Sequence, residues 1–401
     1  MLKVEEAREH VLGSIDKLEK VEVPLLDVWG LNLAEDAIAG NDIPPFDNSA
    51  MDGYSLRAQD IAGASSESPV GLAVLGDLPA GYTADAIVGR GQAIRIMTGA
   101  PMPEGADTVV PVESTRAEEG RVLIEEELPK GTHVRKAGED VRTGEPVIAA
   151  GTTIGPAEAG MLASLGYARV RCFRRAVAGI ISTGDELVGV DEELTPGKIR
   201  DSNSYTIYGM VRDAGAEPLR LGVVGDDAAA LEQAITRNLD RVDLFITSGG
   251  VSVGDYDMVK DVLGKLGEMN FWKVAMRPGK PQAFGHIGGK PLFGLPGNPV
   301  SVMVSFEQFV RPALLKMMGR SHIFRPEATA VLDAPIGRKT GRVEFIRVVT
   351  EWREGRYHAQ PTGPQGSGIL RSMVLGNALA VLPEEVGRLE AGSEVAVQLL
   401  R

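Results

Sequence analysis

Cysteine is almost absent: Cys172 is the only one in 401 residues. Intrachain disulfides and multi-thiolate zinc sites are therefore excluded. The 5 histidines, at positions 10, 133, 286, 322 and 358, are scattered, and no His-Glu-x-x-His pair occurs. There is no Walker A sequence either, because Gly285-His-Ile-Gly-Gly-Lys290 runs into proline where Ser or Thr is needed. Positive charge is in deficit, and a net charge of −13 argues against non-specific binding to nucleic acid or an anionic membrane. No apolar run approaches the roughly 20 residues of a membrane span. The first residues lack the basic-then-apolar pattern of a signal peptide, so a cytoplasmic protein is expected. Chemistry must then rest on carboxylates, Lys and Arg, hydroxyls and backbone groups.

What is present is an ordinary globular composition, 43% hydrophobic and 24% charged, in a chain long enough for roughly two to four domains. Val4, Ala7, Val11, Ile15 and Leu18 recur at spacings of three and four, predicting an amphipathic helix over 3–20. A stiff loop follows, Asn41-Asp-Ile-Pro-Pro-Phe-Asp-Asn-Ser-Ala-Met-Asp-Gly-Tyr54, in which Asp52 reads locally as an Asp-Gly turn residue. Residues 55–150 are rich in Gly, Pro and β-branched residues, with strands expected at 92–97, 107–112 and 121–125. Gly155-Pro156 opens a short helix, which suggests that this β module is inserted between two halves of a small helical unit.

From Arg175 strand and helix alternate, with strands expected at 176–182, 218–224, 242–247 and 271–274 and helices at 203–214, 227–239, 256–266 and 299–318. That alternation implies a mainly parallel sheet covered on both faces, binding ligands at the carboxyl ends of its strands. Beyond Pro326 short strands return (343–350, 356–360, 378–382 and 394–399), suggesting a small closed β domain.

The chain is organised around Thr247-Ser-Gly-Gly-Val-Ser-Val-Gly-Asp-Tyr-Asp257. A strand leads into it and a helical pattern leaves it, a layout that offers backbone N–H groups to a phosphate. Gly249, Gly250 and Gly254 would let the main chain approach a bulky anion, while Asp255 and Asp257 call for a cation beside it. Gly250 to Gly254 also fits Gly-x-Ser-x-Gly, but Ser252 lies too far past the strand for a nucleophile elbow. The plain alternative is an ordinary strand-to-helix loop that uses glycine to turn.

Two other strand ends are acidic, Ser182-Thr-Gly-Asp-Glu186 and Gly225-Asp226-Asp227. Taken singly, Asp226 or Asp227 reads as a helix cap and Glu186 as a solvated charge. Three consecutive strand ends should nevertheless share one sheet edge, and carboxylates gathered there suit a hard, oxygen-seeking cation such as Mg²⁺. Lys273, Arg277 and Lys280 form a basic strip suited to phosphate or another tetrahedral oxoanion. Leu295-Pro296-Gly297-Asn298 begins the last helix of this region.

Six ordered motifs carry a family resemblance. They are Ser49-Ala-Met-Asp-Gly-Tyr54, Met97-Thr-Gly-Ala-Pro101, Ser182-Thr-Gly-Asp-Glu186, Thr247-Ser-Gly-Gly-Val-Ser-Val-Gly254, Arg277-Pro-Gly-Lys-Pro281 and Leu295-Pro-Gly-Asn-Pro299. Together they resemble the molybdopterin molybdenumtransferase family, which includes bacterial MoeA and the gephyrin E domain. The resemblance implies a multidomain α/β plus β fold: an interrupted helical domain (1–26 and 146–174), an inserted β domain (27–145), a three-layer α/β molybdopterin-binding domain (175–325) and a C-terminal β-barrel-like domain (326–401).

It also implies insertion of molybdenum from molybdate into adenylated molybdopterin, with Mg²⁺-dependent release of AMP. Asp52, Thr98, Glu186, Asp226 and Asp257 fall on the family's active-site acids and hydroxyl, and Lys273 and Arg277 on its basic positions. Glu186, Asp226 and Asp257 are the implied metal ligands. Ser182, Thr183, Gly184, Ser248, Gly249, Gly250, Ser252, Gly254, Lys280, Pro296, Gly297 and Asn298 are the implied molybdopterin-binding positions, with Arg347 and either Ser367 or Ser372 from matching C-terminal segments. The implied partners are a second copy, which completes the active site across a homodimer, the molybdopterin adenylyltransferase that supplies the substrate, and molybdoenzyme chaperones. An adenylyltransferase and a non-catalytic dimeric scaffold are the competing readings, and tungstate is open as the oxoanion.

Overall fold

The computed structural model describes residues 1–225, 227–249, 262, 264–337 and 341–401. The chain folds as two compact units, one of Met1–Glu35, Ala150–Gly155 and Val170–Arg401, the other of Asp36–Ala149 and Pro156–Arg169.

The larger unit is built on a six-stranded sheet, β1 (Val177–Thr183), β2 (Glu217–Val224), β3 (Leu244–Ser248), β4 (Gly267–Lys273), β5 (Pro281–Ile287) and β6 (Lys290–Leu295), in the spatial order β2-β1-β3-β6-β5-β4. β1, β2, β3 and β6 run parallel, and every residue of β3 is buried, as a strand covered on both faces requires. On one face pack helices α1 (Val4–Gly13), α2 (Asn203–Asp213), α4 (Pro299–Ser305) and α5 (Arg311–Met317), through Val4, Ile207, Val302 and Leu314. On the other lies α3 (Ala228–Thr236), through Leu231 and Ile235.

The sheet departs from the sequence expectation at β5 and β6, two strands not expected there, of which β5 runs antiparallel to both its neighbours, β4 and β6. Gly288 and Gly289 take φ of 57° and 78°, and two left-handed residues in a row make the tight hairpin that joins these strands. The helix expected over 3–20 ends at Gly13; Ile15 still reaches the core, but from a non-helical segment. The helix expected over 299–318 is three pieces, since a π turn spans Phe306–Val310 and Arg311 N–H donates to Phe306 O. Pro312 brings no N–H to the ladder, and the wider turn absorbs that loss. Of the helix expected at 256–266, only Val262 and Gly264–Leu266 are described, and these are helical.

The C-terminal strands β7 (Glu327–Leu332), β8 (Val343–Arg353), β9 (Arg356–Pro361), β10 (Ala378–Leu382) and β11 (Glu394–Leu399) close into a five-stranded barrel. Closure occurs because the long β8 pairs with β10 through Glu344–Val348 and with β9 through Val348–Arg353. Met276–Arg277 adds a short parallel pairing to Val343–Glu344, which brings the basic strip to the barrel's rim.

The smaller unit carries a six-stranded sheet in the order Thr108–Pro111, Gly53–Leu56, Gln92–Ile96, Val70–Leu78, Arg121–Ile124, Thr115–Glu118. Both of its faces are covered, Tyr54, Leu72 and Val122 lying in one cluster and Ile94, Ile96 and Val109 in another. The three strands expected in this module are all present, and helix Pro156–Ser164 follows it.

Candidate active site

The carboxyl ends of β2, β1, β3 and β6 lie side by side. Val224 is in register with Thr183, Ser182 with Ser248, and Ser248 with Leu295. Gly184, Gly225, Gly249 and Gly297 therefore leave the sheet along one edge. Gly184 N–H donates to Val224 O (3.1 Å) and Gly249 N–H to Leu295 O (3.2 Å). Gly249 has φ of 95°, and a Cβ there would stand 2.4 Å from Thr183 O, so only glycine fits. A Cβ on Gly297 would stand 3.8 Å from the Gly249 Cα, so these two loops come into contact.

Acidic groups sit directly on this glycine edge. Glu186 is exposed, and its carboxylate folds back over Gly184, 2.4 Å from where a Cβ would be. Asp185 Oδ1 lies in the same way over Gly225, at 2.6 Å. Asp227 caps α3, its Oδ1 accepting from Ala229 N–H (2.8 Å) and Ala230 N–H (3.3 Å), as its capping reading anticipated. Asp226, Gly250, Ser252, Gly254 and Asp257 lie outside the described residues, so of the three implied metal ligands only Glu186 is described. Among the described residues no group of three or more His, Cys, Asp or Glu side chains is gathered around a common point. The oxygen donors at the edge are of the type that Mg²⁺ prefers.

The hydroxyls beneath the edge are engaged within the chain. Ser182 Oγ donates to Asp201 Oδ1 (3.1 Å), and Thr183 Oγ1 donates to Ser248 O (3.4 Å). Asn203 Nδ2 donates to Ser248 Oγ (2.8 Å) and to Gly297 O (2.7 Å). Asp201 and Asn203 were missed in the sequence, where Asp-Ser-Asn before an apolar helix looks like ordinary capping. Pro296 is buried, whereas Gly297 and Asn298 are exposed at the start of α4. One amide of that start is already taken, because Val300 N–H donates to Ser367 O (3.0 Å).

The loop that carries Ser367 also lines a pocket of about 440 Å³ at the barrel's rim, bounded by Arg277, Glu344, Arg347, Gln365 and Gly366 among others. Arg347 is 2% exposed. Its Nε donates to Ser372 Oγ (3.1 Å) and its Nη2 to Gly366 O (3.2 Å). Burial pulls its pKa down to about 10, against the pull of Glu344, so it is still charged at neutral pH. Arg277, half-buried, donates from Nη1 to Glu344 Oε1 (3.2 Å). Ser372 is thus the buried support of Arg347, and Ser367 a backbone partner of α4. Lys273 is exposed and Lys280 half-buried; Lys273 O accepts from Leu2 N–H (3.0 Å) and Lys280 O from Val274 N–H (2.8 Å), which pins the basic strip at both ends.

In the smaller unit the structure brings Asp52 and Thr98 together. Asp52 Oδ1 accepts from Thr98 N–H (2.7 Å) and from Thr98 Oγ1 (2.8 Å). Those two bonds, the backbone one first, hold the Asp52 carboxyl below the usual carboxylate range while leaving the group exposed. The same grip recurs between Asp42 and Thr143, so the pairing by itself is also a way to fasten a loop. Gly53 is required for packing, since a Cβ there would meet Val110 O at 2.0 Å.

Three family models cover nearly the whole chain: the MoeA N-terminal region (domain I and II) over residues 2–166, the probable molybdopterin binding domain over 179–316, and the MoeA C-terminal region (domain IV) over 329–400. A Mycobacterium tuberculosis protein named molybdopterin molybdenumtransferase 2 is 40% identical over 403 residues, 99% of each chain. The chain belongs to the molybdopterin molybdenumtransferase family. A Haemophilus influenzae family member is 38% identical over 99% of this chain and 98% of its own. A crystal structure of the Pyrococcus horikoshii MoeA protein matches 100% of this chain and 100% of its own with a TM-score of 0.86 at 32% identity. Members of this family are transferases of molybdenum cofactor biosynthesis, and the motifs singled out in the sequence fall within the matched segments.

Proposed function

We propose that the protein transfers molybdenum from molybdate to the dithiolene of adenylated molybdopterin, with Mg²⁺-dependent release of AMP. The observation that carries the reading is the glycine edge, with Glu186 laid over it and the Lys273–Arg277 strip leading from the same sheet to the Arg277/Arg347 pocket. An anionic, phosphate-bearing ligand suits the first, and a tetrahedral oxoanion suits arginines in the second. Glu186, Asp226 and Asp257 are the residues that would hold Mg²⁺, which would neutralise charge on the phosphoanhydride. Lys273 and Arg277 attract oxoanion oxygens, and backbone N–H groups along the edge orient the ligand. No nucleophilic side chain is required, because the dithiolene sulfurs capture the metal while water or a molybdate oxygen attacks phosphorus and AMP leaves.

The reading includes the division into 1–26 with 146–174, 27–145, 175–325 and 326–401, and a homodimer in which Asp52 and Thr98 of one subunit serve the site of the other. Its support is that Asp52 and Thr98 are preset as a pair in a separately folded unit. An adenylyltransferase that delivers the substrate and chaperones that take the product are the partners such a reaction calls for. Incubating the protein with adenylated molybdopterin, Mg²⁺ and molybdate should release AMP, and chelating the Mg²⁺ should stop it. Release that continues at the same rate in excess chelator would contradict the metal's role.

A further inference from the structure

We infer that Asp201 and Asn203, in the turn that opens α2, are positioning residues that lock the ligand-binding edge of the sheet. The inference rests on the proposed function for the identity of the ligand, though not for the lock itself.

Parallel strands have no tight turns joining them to their neighbours, so beyond the last ladder bond their exits are free to splay. Here the last rung runs through Ser182, Ser248 and Leu295 on the adjacent strands β1, β3 and β6. A single turn reaches all three exits. Asp201 is 2% exposed. Its Oδ1 accepts from Ser182 Oγ (3.1 Å) at the end of β1 and from Ser204 N–H (3.0 Å) in the first turn of α2. Asn203 spends both hydrogens of Nδ2, one on Ser248 Oγ at the end of β3 and one on Gly297 O after β6. A carboxylate offers only acceptors, whereas a primary amide offers two donors from one nitrogen, so the two residue types complement each other.

A capping role does not account for this arrangement. Asp201 supplies an acceptor to the helix, but both bonds of Asn203 leave its own helix and cross to other strands. Both side chains also keep a buried oxygen, Asp201 Oδ2 and Asn203 Oδ1, that no hydrogen bond satisfies among the described residues; Arg220 Nη2 stands 4.0 Å from the former. An unpaired buried acceptor such as Asn203 Oδ1 opposes folding, so the turn is not arranged for stability alone. What it does hold is the spacing between Gly249 and Gly297, the two loops in contact at the edge.

The test uses the full-length protein with Asn203→Ala, Ser248→Ala and the double substitution. Hydrogen exchange of the Gly249 amide, which is bonded to Leu295 O, reports the lock without any ligand. Calorimetric binding of adenylated molybdopterin and the split between KM and kcat report its consequence. Asn203→Ala should speed exchange at Gly249 and weaken binding about tenfold, the scale of one or two lost hydrogen bonds, with the loss appearing in KM. Ser248→Ala should do less, because the bond to Gly297 survives, and the double variant should be no worse than Asn203→Ala. Unchanged exchange at Gly249, binding within about twofold of wild type, or strictly additive losses in the double variant would each overturn the inference. Failure of the wild-type protein to bind adenylated molybdopterin would instead overturn the proposed function, while the exchange measurement would still decide the lock.

Discussion

Asp52 is an exposed acid whose charge is settled by its neighbour: Thr98 donates twice to one carboxylate oxygen. Its carboxyl is held below the ordinary value of about 3.9, so folding favours the ionised form. The resulting contribution to stability is present above about pH 4 and is lost as pH falls through the lower folded value. Asp52→Asn should therefore narrow the difference in urea-unfolding stability between pH 6 and pH 3, and an unaltered difference would mean that the Thr98 grip is absent in solution. Lys273, exposed beside a pinned backbone, has a different task. Lys273→Ala should raise the molybdate concentration needed for half-maximal turnover several-fold, with little change in melting temperature. Weaker binding of adenylated molybdopterin with an unaltered molybdate dependence would move Lys273 to the phosphate site. Arg347 and Ser372 were found through family resemblance, and the structure adds what residue types alone did not reveal, that the serine lies under the arginine.

At the scale of elements, adjacent residues can have unrelated work. Asp227 spends its carboxylate on two amides of α3, whereas its neighbour Asp226 is proposed as a metal ligand. Asp227→Ala should cost about 1 kcal/mol of stability and leave AMP release near wild type. Asp226→Asn or Asp257→Asn should lower AMP release at limiting Mg²⁺ with the fold intact; unchanged release in both would remove the carboxylates from the site. The buried strands β1 and β3 were legible because apolar runs closed by turn residues can mean little else. The β5–β6 hairpin was not, although Gly288-Gly289 is a strong turn signal, because the expected alternation of strand and helix competed with it. The π turn in the last long helix was equally hidden, since a 3.6-residue period looks the same on both sides of it. The lock at Asp201 and Asn203 needs three strands brought into register, and no linear pattern contains that.

For the whole molecule, the fold legible in advance was its sequence of textures: helix, β module, α/β layer, closed β domain. The proposal that Asp52 of one copy serves the site of another rests on family resemblance, and it is testable as such. Two inactive chains, Asp52→Ala and Asp257→Ala, should recover activity on mixing, because a heterodimer keeps one intact site. Random re-association of equal amounts should return about a quarter of wild-type activity. No recovery, despite demonstrated subunit exchange, would place both residues in one subunit's site.

The most direct measurement counts molybdenum and AMP together. Purified protein is given adenylated molybdopterin, Mg²⁺ and a range of molybdate, and both the molybdenum bound to released cofactor and the AMP are quantified, with a parallel reaction on molybdopterin and ATP. The account predicts one AMP per molybdenum inserted, release that saturates with molybdate, and no adenylation in the parallel reaction. Adenylated product and pyrophosphate from ATP, with no molybdenum inserted, would contradict it.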